Sequence, residues 1–211
     1  MSDTPMSAAR LLALAADYVA QQPEAVISAQ AAISRAEIGL QLFDTPLIGF
    51  AAADDPLFAA LTAPEAVGPQ IILPAAWLPG ARTVISVCLP FSAAVRESNR
   101  RHAEEPSPGW LHARYEGQAF INQLCGYLAG ELIAAGYQAV APSLDPRFKS
   151  WSFSHEIVEY GYNSNWSERH AAFIAGLGSF GLSAGLITAK GMAARFCSLI
   201  TDAGFAPTAR E

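Results

Sequence analysis

The stretch "NWSERHAAFIAGLGSFGLSAGLITA" (165–189) decides how the chain is read. Its centre, "GLGSFG" at 176–181, has the G-x-G-x-x-G spacing of a dinucleotide-binding loop. That fingerprint needs a strand before the glycines and a helix after them, so that helix amides face the pyrophosphate. Here the order is reversed. Asn165 and Glu168 stand in capping-box register before an alanine-rich helical run, and the β-type "GLITA" follows the glycines. Gly176 and Gly178 therefore end a helix and turn the chain into a strand, with carbonyls rather than amides facing the bend. The Rossmann reading fails. Two readings of the glycines stay open: a C-cap that needs positive φ, or a bare backbone surface for a large flat ligand.

Working outward, the elements are mixed. "ARFCSLIT" (194–201) reads as a closing strand, joined to "AGLITA" (184–189) by a turn at Lys190-Gly191. "RTVISVCLP" (82–90) is β-branched and apolar, as a central strand is, and Pro90 ends it. "TPLIGFAAA" (45–53) reads as a weaker strand, "DDPLFAAL" as a short helix capped by Asp55, and "YQAVAPS" as a short strand. The longest helical pattern covers 110–136, with Tyr115, Ala119, Ile121, Leu124, Leu128, Leu132 and Ile133 as its apolar stripe. Helices are expected to about Gln21 and again over 25–36, either side of Pro23. Segment 145–165 is aromatic and irregular, the kind that carries functional groups over a rigid scaffold. Strand and helix do not alternate cleanly, which predicts an α+β domain with a mixed or mostly antiparallel sheet.

The composition sets limits. The 211 residues are 52% hydrophobic and 15% charged, enough for one domain with a substantial core. A net charge of −6 gives no electrostatic case for nucleic acid. No apolar run reaches membrane-span length, and the N-terminal "SAARLLALAADYVA" lacks the marks of a signal peptide. Cys88, Cys125 and Cys197 are far apart among apolar neighbours and read as buried thiols in a reducing cytoplasm. They lack the spacing of a zinc or iron–sulfur site, so no metal ligands are assigned.

The segment 164–202 resembles the region before the ferredoxin module of epoxyqueuosine reductases and related corrinoid iron–sulfur proteins, reductive dehalogenases among them. "WLPGARTVISVCLPF" (77–91), "ARYEGQAFINQLCGYLAGELIAAGYQAVAP" (113–142) and "DPRF" (145–148) fit the same family in the same order. The resemblance implies a nitroreductase-like α+β fold over residues 45–211 that binds base-off cobalamin, preceded by an N-terminal helical arm, 1–44. It also implies 4Fe-4S clusters in a ferredoxin-like domain beyond residue 211 or in a partner chain, with a small-molecule substrate. A homodimer stays open. By the same resemblance, Gly176, Gly178, Ser179, Phe180 and Gly181 form the corrin's floor, while Asn163, Ser164 and Trp166 contact its rim. Arg169 either pins its helix to a carboxylate or to the corrin's phosphate tail, or makes a surface ion pair.

The family's proton-donating aspartate stands seven residues before the arginine; here that position is Tyr162. Tyr162 is thus a donor candidate or an aromatic wall, and His155 is a second acid–base candidate. Leu182 replaces the lysine usual after the glycines, so epoxyqueuosine is a doubtful substrate. His170 reads as a packed helical residue rather than a cobalt ligand. Three functions compete: a reductase fragment inactive alone, a non-catalytic corrinoid carrier or chaperone, and a flavin-dependent nitroreductase relative.

Overall fold

The computed structural model describes residues 6–102, 104–152 and 162–210. In chain order the elements are α1 (Ala8–Gln21), β1 (Leu47–Ala52), α2 (Pro56–Ala60), α3 (Pro74–Trp77), β2 (Thr83–Pro90), α4 (Ala93–Arg100), α5 (Pro108–Ala134), β3 (Ala139–Val140), β4 (Ser150–Ser152), β5 (Tyr162–Ser164), α6 (Glu168–Ile174), β6 (Gly178–Phe180), β7 (Leu186–Thr188) and β8 (Ala194–Thr201).

The sheet grows from the two apolar runs. β2 and β8 pair antiparallel from Thr83 opposite Thr201 to Pro90 opposite Ala194, β1 flanks β2, and β3 flanks β8. Every residue of β2 is buried, because helices cover both faces of the sheet. Strand periodicity divides its side chains. Ile85, Val87 and Leu89, with Cys197 and Leu199 of β8, face α1 and α5. Val84 and Ile200 face the other way, towards α2, α3 and α6. The α+β expectation holds, and all strand pairing among the described residues is antiparallel.

Several local expectations change. Residues 25–36 form no α-helix, only 3-10 turns at Pro23–Ala25 and Arg35–Glu37. The hydroxyls of Ser28 and Ser34 accept from the amides of Ala31 and Ala36, and the segment has almost no buried face. On α5, Tyr115 and Ile133 are 70% and 56% exposed; the buried face runs through Ala113, Phe120, Ile121, Leu124, Cys125, Leu128 and Leu132. α4 is an extra helix, capped by Ser92, with Val95 its one buried residue and Arg96 paired with Asp44. From the N-terminal arm, α1 lays Leu11, Ala15 and Val19 into the core shared with α5.

The glycine bend follows the helix-to-strand reading. Gly176 has φ +74° after the end of α6, and β6 and β7 form a hairpin behind it. A Cβ on Gly178 would lie 2.0 Å from the Ile187 carbonyl oxygen, and one on Gly176 would lie 2.7 Å from the Ala209 carbonyl oxygen. The chain's own backbone fills the space that these missing side chains leave.

Candidate functional site

The "DPRF" motif and the start of the 164–202 segment meet on the α6 side of the sheet. Arg147 of "DPRF" forms a 2.7 Å ion pair with Asp145 and donates to the carbonyls of Ala76 and Trp77 at 3.0 and 2.9 Å. Those Arg147 hydrogen bonds lower the Asp145 carboxyl to about 2. Asn165 holds the same segment: its amide donates to the Arg147 carbonyl (2.8 Å) and its oxygen accepts from the Lys149 amide (2.9 Å). Asn165 is therefore no helix cap. α6 starts after Ser167, whose hydroxyl pairs with His170 Nδ1 at 2.7 Å.

This frame borders a cavity of about 1020 Å³. Its walls are Phe148, Ser150 and Trp151 on one side, and Leu186, Met192 and Phe196 on another. α5 contributes Arg114, Gln118 and Asn122, four residues apart, so that one polar stripe of the helix faces the opening. Asn163, Ser164, Glu168, Arg169, His170 and Arg195 complete the polar lining.

Glu168 is the unusual member. In sequence it sits in capping-box register, yet its carboxyl turns inward. Both oxygens are closed to solvent, and no partner meets hydrogen-bond geometry among the described residues. Burial raises the carboxyl to about 7, opposed by the polar groups of Ser198, Trp166 and Ser143 beside it. Trp166 donates its indole N–H to the Ser198 hydroxyl at 2.8 Å. Ser86, directly opposite Ser198 in the β2–β8 ladder, and Ser143 each bury a hydroxyl that meets no partner of hydrogen-bond geometry among the described residues. A polar cluster thus interrupts the apolar layer beneath the cavity, where a neutral acid is favoured over a carboxylate.

Of the residues singled out from sequence, Asn163, Ser164 and Arg169 line the cavity, as does His170. Asn163 donates to the Val67 carbonyl at 3.2 Å, and Arg169 donates to the Ala184 carbonyl at 2.8 Å, bracing the β6–β7 turn. Trp166 lies behind the wall, 3% exposed and stacked on Phe58. Gly176, Gly178, Ser179, Phe180 and Gly181 do not border the cavity; Phe180 packs 4.9 Å from the His170 ring. Tyr162 opens β5 opposite Ser152, but its side chain lies outside the described residues, and so does all of His155. Sequence reasoning missed Glu168, Arg114, Gln118, Asn122 and Arg195. The available signals were a polar stripe of period four within an apolar helix and a serine at the centre of each core strand.

No protein-family model and no curated protein matches the chain. Among solved structures, it is similar to an epoxyqueuosine reductase determined with an epoxyqueuosine-modified tRNA-Tyr stem loop: 18% identity, TM-score 0.44, 78% of this chain and 44% of that one. The enzyme from Streptococcus thermophilus gives 18% identity and a TM-score of 0.42 over 78% and 44% of the two chains. That from Bacillus subtilis gives 18% and 0.39 over 78% and 43%. The chain spans less than half the length of these structures. Among the described residues, no helix is long and apolar enough to cross a membrane.

Proposed function

We propose that this chain is the cobalamin-binding portion of an iron–sulfur-dependent reductase, with the corrin in the cavity between α5, β4–β5, α6 and β8. The observation that carries this reading is the cavity itself. Its volume of about 1020 Å³ lies at the upper end of ligand sites, and it combines apolar walls with an amide-bearing rim. A corrin is broad, largely apolar and fringed with amides. Trp151, Phe148 and Phe196 suit its faces, and Gln118, Asn122 and Asn163 suit its edge.

When bound, base-off cobalamin supplies a reduced cobalt centre for reductive cleavage of a carbon–oxygen or carbon–halogen bond. The protein binds, orients and excludes water. Glu168 holds a proton beneath the cavity at neutral pH, as a group poised near 7 does. Tyr162 and His155 remain proposed donors from the adjoining segment. Iron–sulfur clusters do not fit this chain's own residues: Cys88, Cys125 and Cys197 are buried free thiols, and no His, Cys, Asp and Glu grouping suits a metal among the described residues. Electrons then come from a further domain or a partner chain.

The nitroreductase-like topology, the division into an arm at 1–44 and a domain at 45–211, a cytoplasmic setting and a small-molecule substrate belong to the same reading. One similar structure carries a tRNA stem loop, whereas the charge balance here argues against nucleic acid, so the assay includes both substrate kinds. Absorbance titration with cobalamin and with FMN tests the proposal. Saturable binding with a base-off cobalamin spectrum is expected. Flavin bands retained by the protein, with no response to cobalamin, would overturn it in favour of a flavin-dependent nitroreductase relative. Cobalamin binding without turnover, even beside an iron–sulfur donor, would identify a carrier.

A further inference from the structure

The protein has a net charge of −6, yet its cavity gathers cations. Arg96, Arg100, Arg101, Arg147 and Arg210 each form an ion pair with a carboxylate. Arg114, Arg169 and Arg195, which all line the cavity, have no carboxylate partner among the described residues. Among the described residues, the one carboxyl in the lining belongs to Glu168, whose oxygens are closed off and which holds its proton up to about 7. It does not neutralise them.

Arg114 and Arg195 are the most telling pair. Arg195 projects from β8 and donates one terminal N–H to the Arg114 carbonyl on α5. Its Nε is buried with no acceptor among the described residues. Burial, and then the Arg114 charge, lower its pKa. A half-buried guanidinium that feels the Arg114 charge, with an N–H that meets no acceptor among the described residues, is costly. An oxyanion relieves both, because its oxygens match the guanidinium fork and its charge offsets the pair. Gln118, one turn along α5, adds an amide donor on the same stripe.

We propose that Arg114 and Arg195 form a subsite for an anionic group, a phosphate or a carboxylate, on the α5–β8 wall of the cavity. The subsite stands on the arginine geometry alone; only the source of its anion rests on the corrinoid reading. That source is either the phosphate of the corrinoid's nucleotide tail or an anionic group on the substrate.

Inorganic phosphate titrated by calorimetry at low ionic strength tests the subsite. Saturable binding is expected, weakened at least tenfold in Arg195→Gln and in Arg114→Gln. Arg195→Lys, which keeps the charge and guards against misfolding, retains part of it, and the surface control Arg100→Gln matches the wild type. No saturable phosphate binding, or binding unchanged in both glutamine variants, would overturn the proposal. Two corrinoids then identify the source. If the tail phosphate is the ligand, Arg195→Gln weakens cobalamin but not cobinamide, which lacks the tail, and cobalamin displaces phosphate. If the substrate supplies the anion, the two corrinoids bind alike and phosphate still binds beside them. Loss of all corrinoid binding with phosphate binding intact would sink the cofactor reading and leave the subsite standing.

Discussion

Two buried ionisable side chains sit on opposite sides of the sheet, and the fold treats them differently. His112, on the α1–α5 side, is 3% exposed and uses both ring nitrogens: Nε2 accepts from the Ile33 amide at 3.1 Å and Nδ1 pairs with Glu116 at 3.0 Å. It is a strut that ties the segment after α1 to α5. Glu168, on the other side, has no partner of good geometry among the described residues, and neither do the nearby buried hydroxyls of Ser86 and Ser143. Buried polar groups are ordinarily satisfied, so a satisfied one reads as architecture. An unsatisfied acid at the wall of a large cavity costs the fold stability, and perturbed acids of this kind cluster at functional sites.

The largest expected effect tests that instability. Folding raises the Glu168 carboxyl from 4.5 to about 7, so the folded protein binds this proton more tightly than the unfolded chain. Its contribution is fully present below 4.5, declines as pH rises to about 7, and is flat above that; the total is about 3 kcal/mol. Glu168→Gln should remove this slope, gaining on the wild type from pH 4.5 to about 7 and levelling off above that in urea unfolding. Parallel pH profiles would mean that Glu168 is an ordinary carboxylate.

On the other side, His112→Ala should cost about 2 kcal/mol, because it leaves the Ile33 amide unpaired, while corrinoid affinity stays unchanged. A change in that affinity would erase the distinction between strut and site. Ser198→Ala should cost about 1 kcal/mol through the stranded Trp166 indole N–H. Because Ser198 lowers the Glu168 pKa, the same variant should move the Glu168 titration upward in carbon-detected NMR. The smallest effect is expected outside both regions. Glu97→Gln breaks exposed pairs with Arg100 and Arg101 and should change stability by less than about 0.5 kcal/mol.

The scaffold was far more legible in the sequence than the site. β2, β8 and the body of α5 follow from periodicity, because long apolar patterns bury only one way. The helix-to-strand turn at Gly176 follows from the order of its flanks. α4 was hidden because it buries little besides Val95, so no apolar period marks it. Residues 25–36 misled because Ser28 and Ser34 offer the backbone closer hydrogen-bond partners than a helix would.

Glu168 was misread for a different reason. A glutamate in capping register can reach back to the backbone or into the core, and the choice depends on Ser143 and Ser198, distant in sequence. The glycines drew the ligand reading to 176–181, and from that hairpin Gly185 and Leu186 line the cavity, beside the α5 stripe that the sequence reading did not single out. Only tertiary contacts bring that stripe and the hairpin together.

The central claim is that this space holds a corrin, and cobalamin titration of the wild type beside Asn122→Trp tests it most directly. Asn122 lines the cavity from α5 outside the apolar core, so the indole fills the volume without disturbing the sheet. The account predicts saturable base-off binding by the wild type and at least a tenfold loss in the variant. Equal binding by both proteins, or none by the wild type, would contradict it.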